Sequence, residues 1–211
     1  MANDPEALLA RALSLNNPGE ALALYREWAL TYDATMLDGL GYVTPMRTAE
    51  LFCAQVFDKK ARILDVGSGT GLAAVELAKR GFTNVDALDF SPSMLAVARA
   101  RGLYASLIEA DLNKPLPLAD ASYDAMICTG TFTHAHVGSS CLDELFRVLK
   151  PGGIFACTVH REVWQPAGFA ARIEQLAEAG TLCVLYHQPG CYYSKSTVPE
   201  GYYIVWQHRA G

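Results

Sequence analysis

The stretch that most limits what this chain can fold into is Ile63-Leu64-Asp65-Val66-Gly67-Ser68-Gly69-Thr70-Gly71. A short apolar run meets three alternating glycines and then apolar residues at helical spacing. Glycines in that pattern let a strand turn sharply into a helix and let a ligand approach the backbone closely. The surrounding sequence has the rhythm such a turn needs. From Ala61 onward, strand candidates at 61–66, 83–88, 104–108, 123–128, 153–159, 182–187 and 202–207 alternate with helix candidates at 71–80, 92–101, 139–149 and 166–179. The alternation predicts an α/β domain over 61–211, a mostly parallel sheet with helices on both faces. In such sheets ligands bind beyond the carboxyl ends of the strands, so the chemistry belongs in the loops that follow them.

Residues 1–60 read as a helical cap. Asn17 is placed to cap a helix that has Pro18 at its first position and Glu20 three residues after the cap. Ala21, Leu24, Tyr25, Trp28 and Tyr32 then recur at helical spacing. A further helix begins at Thr44-Pro45, with Leu40-Gly41-Tyr42 read as a flexible joint before it. In the second part of the chain Gly81, Gly102 and Gly180 fall where helices end. Ser91-Pro92 opens one helix, and Ser140 with Asp143 is read as a capping box for another.

Composition narrows the classes. Of 211 residues 51% are hydrophobic and 18% charged, enough for one large core and unlike a disordered chain. Seventeen basic and 22 acidic residues give a net charge of −5, without a run of five or more like charges, so the footprint of a phosphate-backbone binder is missing. No uninterrupted apolar stretch is long enough to span a membrane, and Met1 to Glu6 does not resemble a targeting signal. The six cysteines form no C-x-x-C pair and sit in apolar segments, which predicts buried, reduced thiols in a cytoplasmic protein and no metal cluster.

The glycine run leaves two ligand classes open. Read directly after the strand, Gly67-x-Gly69-x-x puts Leu72 where a dinucleotide fingerprint wants glycine or alanine. Read two residues later, Gly69-x-Gly71-x-x-Ala74 fits it. Asp65 tips the balance, since a carboxylate beside the turn suits a ligand with an ammonium group and repels a pyrophosphate.

The full Asp-x-Gly-x-Gly-x-Gly run resembles the glycine-rich motif of class I S-adenosylmethionine-dependent methyltransferases. Further segments match in order: Leu88-Asp89-Phe90-Ser91-Pro92-Ser93-Met94, Glu109-Ala110-Asp111-Leu112, Tyr123 to Cys128, and Arg147 to Gly153. Leu24 to Ala29, Tyr32-Asp33 and Gly41-Tyr42 look like the small methyltransferases of the Williams–Beuren region family and their bacterial relatives. The resemblance implies a Rossmann-like seven-stranded sheet with an antiparallel last strand, and S-adenosylmethionine as cofactor. It implies that Gly67, Ser68 and Gly69 cradle the methionine part, with Asp65 near its ammonium group, directly or through water. Asp89 would hold the ribose hydroxyls in a charge-assisted pair, and Phe90, Met94, Asp111 and Leu112 would surround the adenine. Thr129 and Gly130 would line the methyl face; Tyr32, followed by the Asp33-to-Tyr42 segment, is the candidate for contact with the methionine end.

After the fourth strand, Thr129 to His136 should face the acceptor. His134 is the candidate general base there, having a pKa near neutrality. Trp28 reads as a core residue, and so do the tyrosines near the carboxyl end (Tyr186, Tyr192, Tyr193, Tyr202 and Tyr203). The function expected is methyl transfer to a small-molecule acceptor by in-line displacement. Its rivals are a non-catalytic S-adenosylmethionine-binding sensor or partner subunit, and a nicotinamide-dependent oxidoreductase.

Overall fold

The computed structural model describes residues 4–15, 17–133 and 137–209. Two helices, α1 (Pro5–Leu13) and α2 (Pro18–Trp28), lead to a π-helical turn, Ala34–Gly39, and to α3 (Thr44–Cys53). There follow β1 (Ile63–Val66), α4 (Leu72–Lys79), β2 (Val85–Asp89), α5 (Pro92–Ala100), β3 (Ser106–Glu109), β4 (Tyr123–Phe132), α6 (Cys141–Val148) and β5 (Leu149–His160). The chain closes with α7 (Arg161–Trp164), α8 (Phe169–Glu178), β6 (Leu182–Gly190) and β7 (Gly201–His208).

The seven strands form one sheet in the order β3-β2-β1-β4-β5-β7-β6. β1 to β5 are parallel, and β7 runs antiparallel between β5 and β6. The order reverses between β1 and β4, which places a crevice beyond their carboxyl ends. Strand residues alternate between two buried layers. Leu64, Val66, Met126, Cys128, Phe155 and Trp206 pack with α6 and α8. Ile63, Ala125, Ile127, Ile154 and Val205 pack with α3 and α4. A third cluster unites Leu24, Trp28, Met36, Tyr42, Tyr192 and Tyr203, seating the amino-terminal helices over one end of the sheet.

The structure shifts several boundaries. α3 lies within the packing of the sheet's second layer, because Ala49 and Phe52 are fully buried against Ile63 and Val205; the expected division at residue 60 thus runs through a packed layer. The strand expected to end at 128 continues to Phe132. Its pairing with β5 is irregular between Cys128 and Phe132, and Gly130 there has φ +74°. The helix expected at 166–179 is α8, which starts after Gly168 (φ +76°), and the short α7 before it was not expected. Ser140 makes no cap: the Asp143 carboxylate that would complete the box accepts instead from Arg172 Nε at 3.0 Å. The Asn17 cap forms, its side chain accepting from Glu20 N at 3.0 Å. Leu40-Gly41-Tyr42 is pinned rather than loose, since Gly41 O accepts from Ser194 N at 2.8 Å and Tyr42 bridges to Tyr193. Cys128, Cys141 and Cys157 are buried, and burial pushes the Cys141 thiol up to about 12. Among the described residues no helix is long and apolar enough to cross a membrane.

Candidate functional site

Four separate stretches of sequence meet beyond the ends of β1, β2 and β4. They line an open cleft. Gly67 to Thr70 form its floor. Leu88, Asp89, Phe90 and Met94 form one wall, with Ala110 to Asn113 beside them, and Thr129, Gly130 and Thr131 form the wall opposite. Tyr25, Tyr32 and Tyr42 close it from the cap, with Pro45.

The floor is shaped by two glycines with left-handed φ. Gly67 has φ +64°, and a Cβ on it would lie 2.0 Å from Thr131 Oγ1. Gly69 has φ +53°, and nothing lies within 4 Å of where a Cβ would stand. The turn is tied to the neighbouring strands: Ser68 N donates to Leu88 O at 3.0 Å, and Thr131 Oγ1 donates to Val66 O and Gly67 O at 3.3 Å. The irregular end of β4 is held by Gly130 N, which donates to Thr158 Oγ1 at 3.2 Å.

Asp89 stands at the end of β2, 7% exposed. Its Oδ2 accepts from Gly69 N at 2.7 Å and its Oδ1 from Ser91 N at 2.8 Å. Burial pushes its pKa up, and the backbone donors of Ser91, Gly69 and Phe90 oppose that rise. Three backbone donors do not exhaust the four lone-pair sites of a carboxylate, which leaves an acceptor for a ligand's hydroxyl. Ser91 also caps α5, its Oγ accepting from Met94 N at 3.4 Å, which turns Met94 into the cleft. Asp111 accepts from Asn113 N at 2.9 Å. Partial burial works against its ionised form but is outweighed by Asn113 and Lys114, so its pKa is lowered.

Asp65 is the exception among the sequence-predicted residues. It is 1% exposed and does not line the cleft. Its Oδ2 accepts from Tyr104 Oη at 2.6 Å, while Oδ1 has no protein partner. Burial pushes its pKa to about 7, Tyr104 pulling it down and Asp89 adding to the rise. His134 lies outside the described residues. The other expected residues (Tyr32, Gly67, Ser68, Gly69, Asp89, Phe90, Met94, Asp111, Leu112, Thr129 and Gly130) all line the one cleft. Trp28 is buried in the cap's core, 4.8 Å from Tyr32 ring to ring.

Sequence reasoning assigned no site role to Tyr25, Pro45, Thr70, Asn113 or Val137, and named Tyr42 and Thr131 only as parts of the 33–42 and 129–136 segments; all seven line the cleft. Tyr25 shows only a helical period in the sequence. Tyr42 follows Gly41, and its phenol hydroxyl lies 2.6 Å from where a Cβ on Gly130 would stand. Burial drives the pKa of Tyr25, Tyr32 and Tyr42 upward, so the roof presents neutral phenols.

The cleft suits an adenosyl sulfonium. Among the described lining residues, the aspartates Asp89 and Asp111 are the sole acidic or basic side chains. That balance favours a cation and opposes a pyrophosphate. Ser68 Oγ is buried at the floor with no protein partner, and aromatic faces on the roof attract positive charge.

Comparison with known proteins agrees. A family profile described as a methyltransferase domain matches residues 64–157. Human methyltransferase-like protein 27 is 33% identical over 170 residues, which are 76% of this chain and 67% of that protein. A demethylmenaquinone methyltransferase of Parafrankia is 32% identical over 181 residues, 75% of this chain and 70% of that protein. Among solved structures, a putative S-adenosylmethionine-dependent methyltransferase from Methanococcus maripaludis superposes with a TM-score of 0.65 at 18% identity, over 90% of this chain and 94% of that one.

Proposed function

Since the chain belongs to the class I S-adenosylmethionine-dependent methyltransferases, we propose that the cleft holds the methyl donor with its methyl group toward β4 and passes it to a small-molecule acceptor. The observation that carries this reading is the meeting of the β1, β2, β3 and β4 segments in one acidic, tyrosine-roofed cleft. When bound, the cofactor supplies an electrophilic methyl group on a positively charged sulfur. The chain's residues bind, orient and exclude water. Asp89 takes the ribose hydroxyls with the acceptor capacity left by its backbone donors. Phe90, Met94 and Leu112 give the adenine an apolar slot, with Asp111 at its rim. Gly67, Ser68 and Gly69 lie along the methionine part, and Ser68 Oγ gains there the partner it lacks in the protein. Asp65 acts from behind the loop.

Thr129 and Gly130 line the methyl face, with the Tyr42 hydroxyl against Gly130. Neutral phenols there donate hydrogen bonds to an acceptor's oxygen and do not withdraw its proton. Holding the two reactants in line in a site closed to water supplies much of the acceleration in such transfers. His134 is the residue proposed to take the acceptor's proton. A small acceptor fits a cleft whose open side is narrowed by the cap, and the name of the Parafrankia relative points to a quinone-type acceptor for that protein. The protein is proposed to act in the cytoplasm.

Calorimetric titration with S-adenosylmethionine, S-adenosylhomocysteine and NADH tests the site. Both adenosyl ligands should bind, and Asp89→Ala should weaken them about 10- to 100-fold, the loss expected for charge-assisted hydrogen bonds. Binding of NADH alone would sink the reading. With a methyl-labelled donor and cell extract, the label should enter the low-molecular-mass fraction; label confined to protein or RNA would overturn the small-molecule assignment. His134→Gln should lower kcat and remove the rise of rate with pH, leaving cofactor affinity unchanged.

A further inference from the structure

The residue after the roof's Tyr32 makes a contact that the proposed function does not use. Asp33 Oδ1 accepts from Thr70 Oγ1 at 2.5 Å, and Asp33 Oδ2 accepts from Arg101 Nη2. Arg101 Nε in turn donates to the Thr70 carbonyl at 2.5 Å. The three residues therefore form a closed ring, in which each touches both others. They come from three places: the cap, the glycine turn and the end of α5.

The ring's position gives it leverage. Thr70 lies between Gly69, whose N–H is held by Asp89, and Gly71, which has φ +93° and packs close to Tyr104 and Arg101. Asp33 leads into the π-helical turn, which ends just before Tyr42, the next roof residue. Such turns are uncommon and recur at functional sites. The far end of this segment is fixed by main chain, through Val43 N to Tyr192 O at 2.9 Å and Ser194 N to Gly41 O. The near end is joined to the cofactor floor by side chains that solvent still reaches, at 33% exposure for Asp33 and 23% for Arg101. One end of the roof is thus riveted and the other fastened by a charge-assisted contact that can open and re-form.

We propose that Asp33 and Arg101 are positioning residues of the donor site: with Thr70 they latch Tyr32 to the glycine turn, and the latch sets how fast donor and product leave. The inference rests on the cleft being the donor site. Release of S-adenosylhomocysteine is followed by stopped-flow fluorescence, with Trp28, which packs on Tyr32, as reporter. Asp33→Asn removes the charge but keeps an acceptor for Thr70. Arg101→Lys keeps the charge but cannot span Asp33 and the Thr70 carbonyl together.

Each variant should release product about tenfold faster and also bind it faster, so that Kd moves less than the dissociation rate. Because the ring acts as a unit, the double variant should be no faster than either single one. The urea midpoint of the ligand-free protein should stay near that of the wild type. Dissociation within about twofold of wild type, or single effects that multiply in the double variant, would overturn the latch while leaving the donor site intact. Failure of the wild type to bind S-adenosylhomocysteine would overturn the donor site, and the latch with it.

Discussion

Two aspartates of the same motif set are treated oppositely by the fold. Asp89 is buried but supplied with backbone donors; Asp65 is buried with one phenol and a bare oxygen. The consequence for Asp65 is measurable. Its carboxyl rises from 3.8 to about 7, chiefly through burial. Between those values the folded chain holds a proton that the unfolded chain has released, so stability falls as pH rises from about 4 to about 7 and then levels off. A shift of this size corresponds to roughly 4 kcal/mol as an upper figure. Asp65→Asn keeps an acceptor for Tyr104 and removes the charge. Urea unfolding of the ligand-free variant should show it more stable than the wild type at pH 8, with the gap closing toward pH 4.5. Parallel pH curves would show that Asp65 is not the source. Both aspartates stand out in the sequence, but their difference does not, since Tyr104 is 39 residues away from Asp65.

At the scale of elements, the glycine turn separates folding from binding. Gly67 and Gly69 both have left-handed φ, but a methyl on Gly67 strikes Thr131 whereas one on Gly69 meets nothing within 4 Å. Gly67→Ala should therefore lower the thermal midpoint clearly, through overpacking that typically costs about 1–3 kcal/mol on top of backbone strain. Gly69→Ala should carry only the strain of about 1–2 kcal/mol, yet lose most of its affinity for S-adenosylhomocysteine, because the methyl occupies the ligand's space. Scanning calorimetry beside titration reads both, and equal effects at the two positions would remove the distinction. The motif showed that glycines were required here. It did not show which one is crowded by protein and which stands in open space, because that depends on Thr131, brought in by the irregular end of β4. That strand was expected to stop at Cys128, with Thr129 to His136 as the loop after it. Its pairing is carried onward by the bonds of Thr131 to Val66 and Gly67 and of Gly130 to Thr158.

For the whole molecule, the cleft is where cap and sheet meet, so filling it should stabilise the fold globally. S-adenosylhomocysteine at 100 times its Kd should contribute about 2.7 kcal/mol. In a chain of this length that raises Tm by roughly 5–11 °C. NADH at equal concentration should leave Tm unchanged; a matching rise with NADH would restore the oxidoreductase reading. The cap's share in the cleft also explains what sequence reasoning overlooked at Tyr25 and left unspecified at Tyr42. Tyr25 and Tyr42 belong to an amphipathic helix and a joint, two contexts in which a tyrosine has ordinary structural uses. They become roof residues because the Tyr192–Tyr203 region packs under the cap and pins Tyr42 in place.

The sequence by itself determined the α/β class, the seven strands, the segments that meet at the cofactor cleft and the cofactor's family, because these reside in local signals. Strand period, glycine spacing and acids at strand ends are all written within a few residues of one another. Only the tertiary structure decided that Asp65 faces Tyr104 rather than the cleft, that three tyrosines roof it, that α3 packs with the sheet, and that Asp33, Thr70 and Arg101 close a ring. Each depends on partners tens of residues apart, and which partner a buried polar group finds is set by how the layers pack.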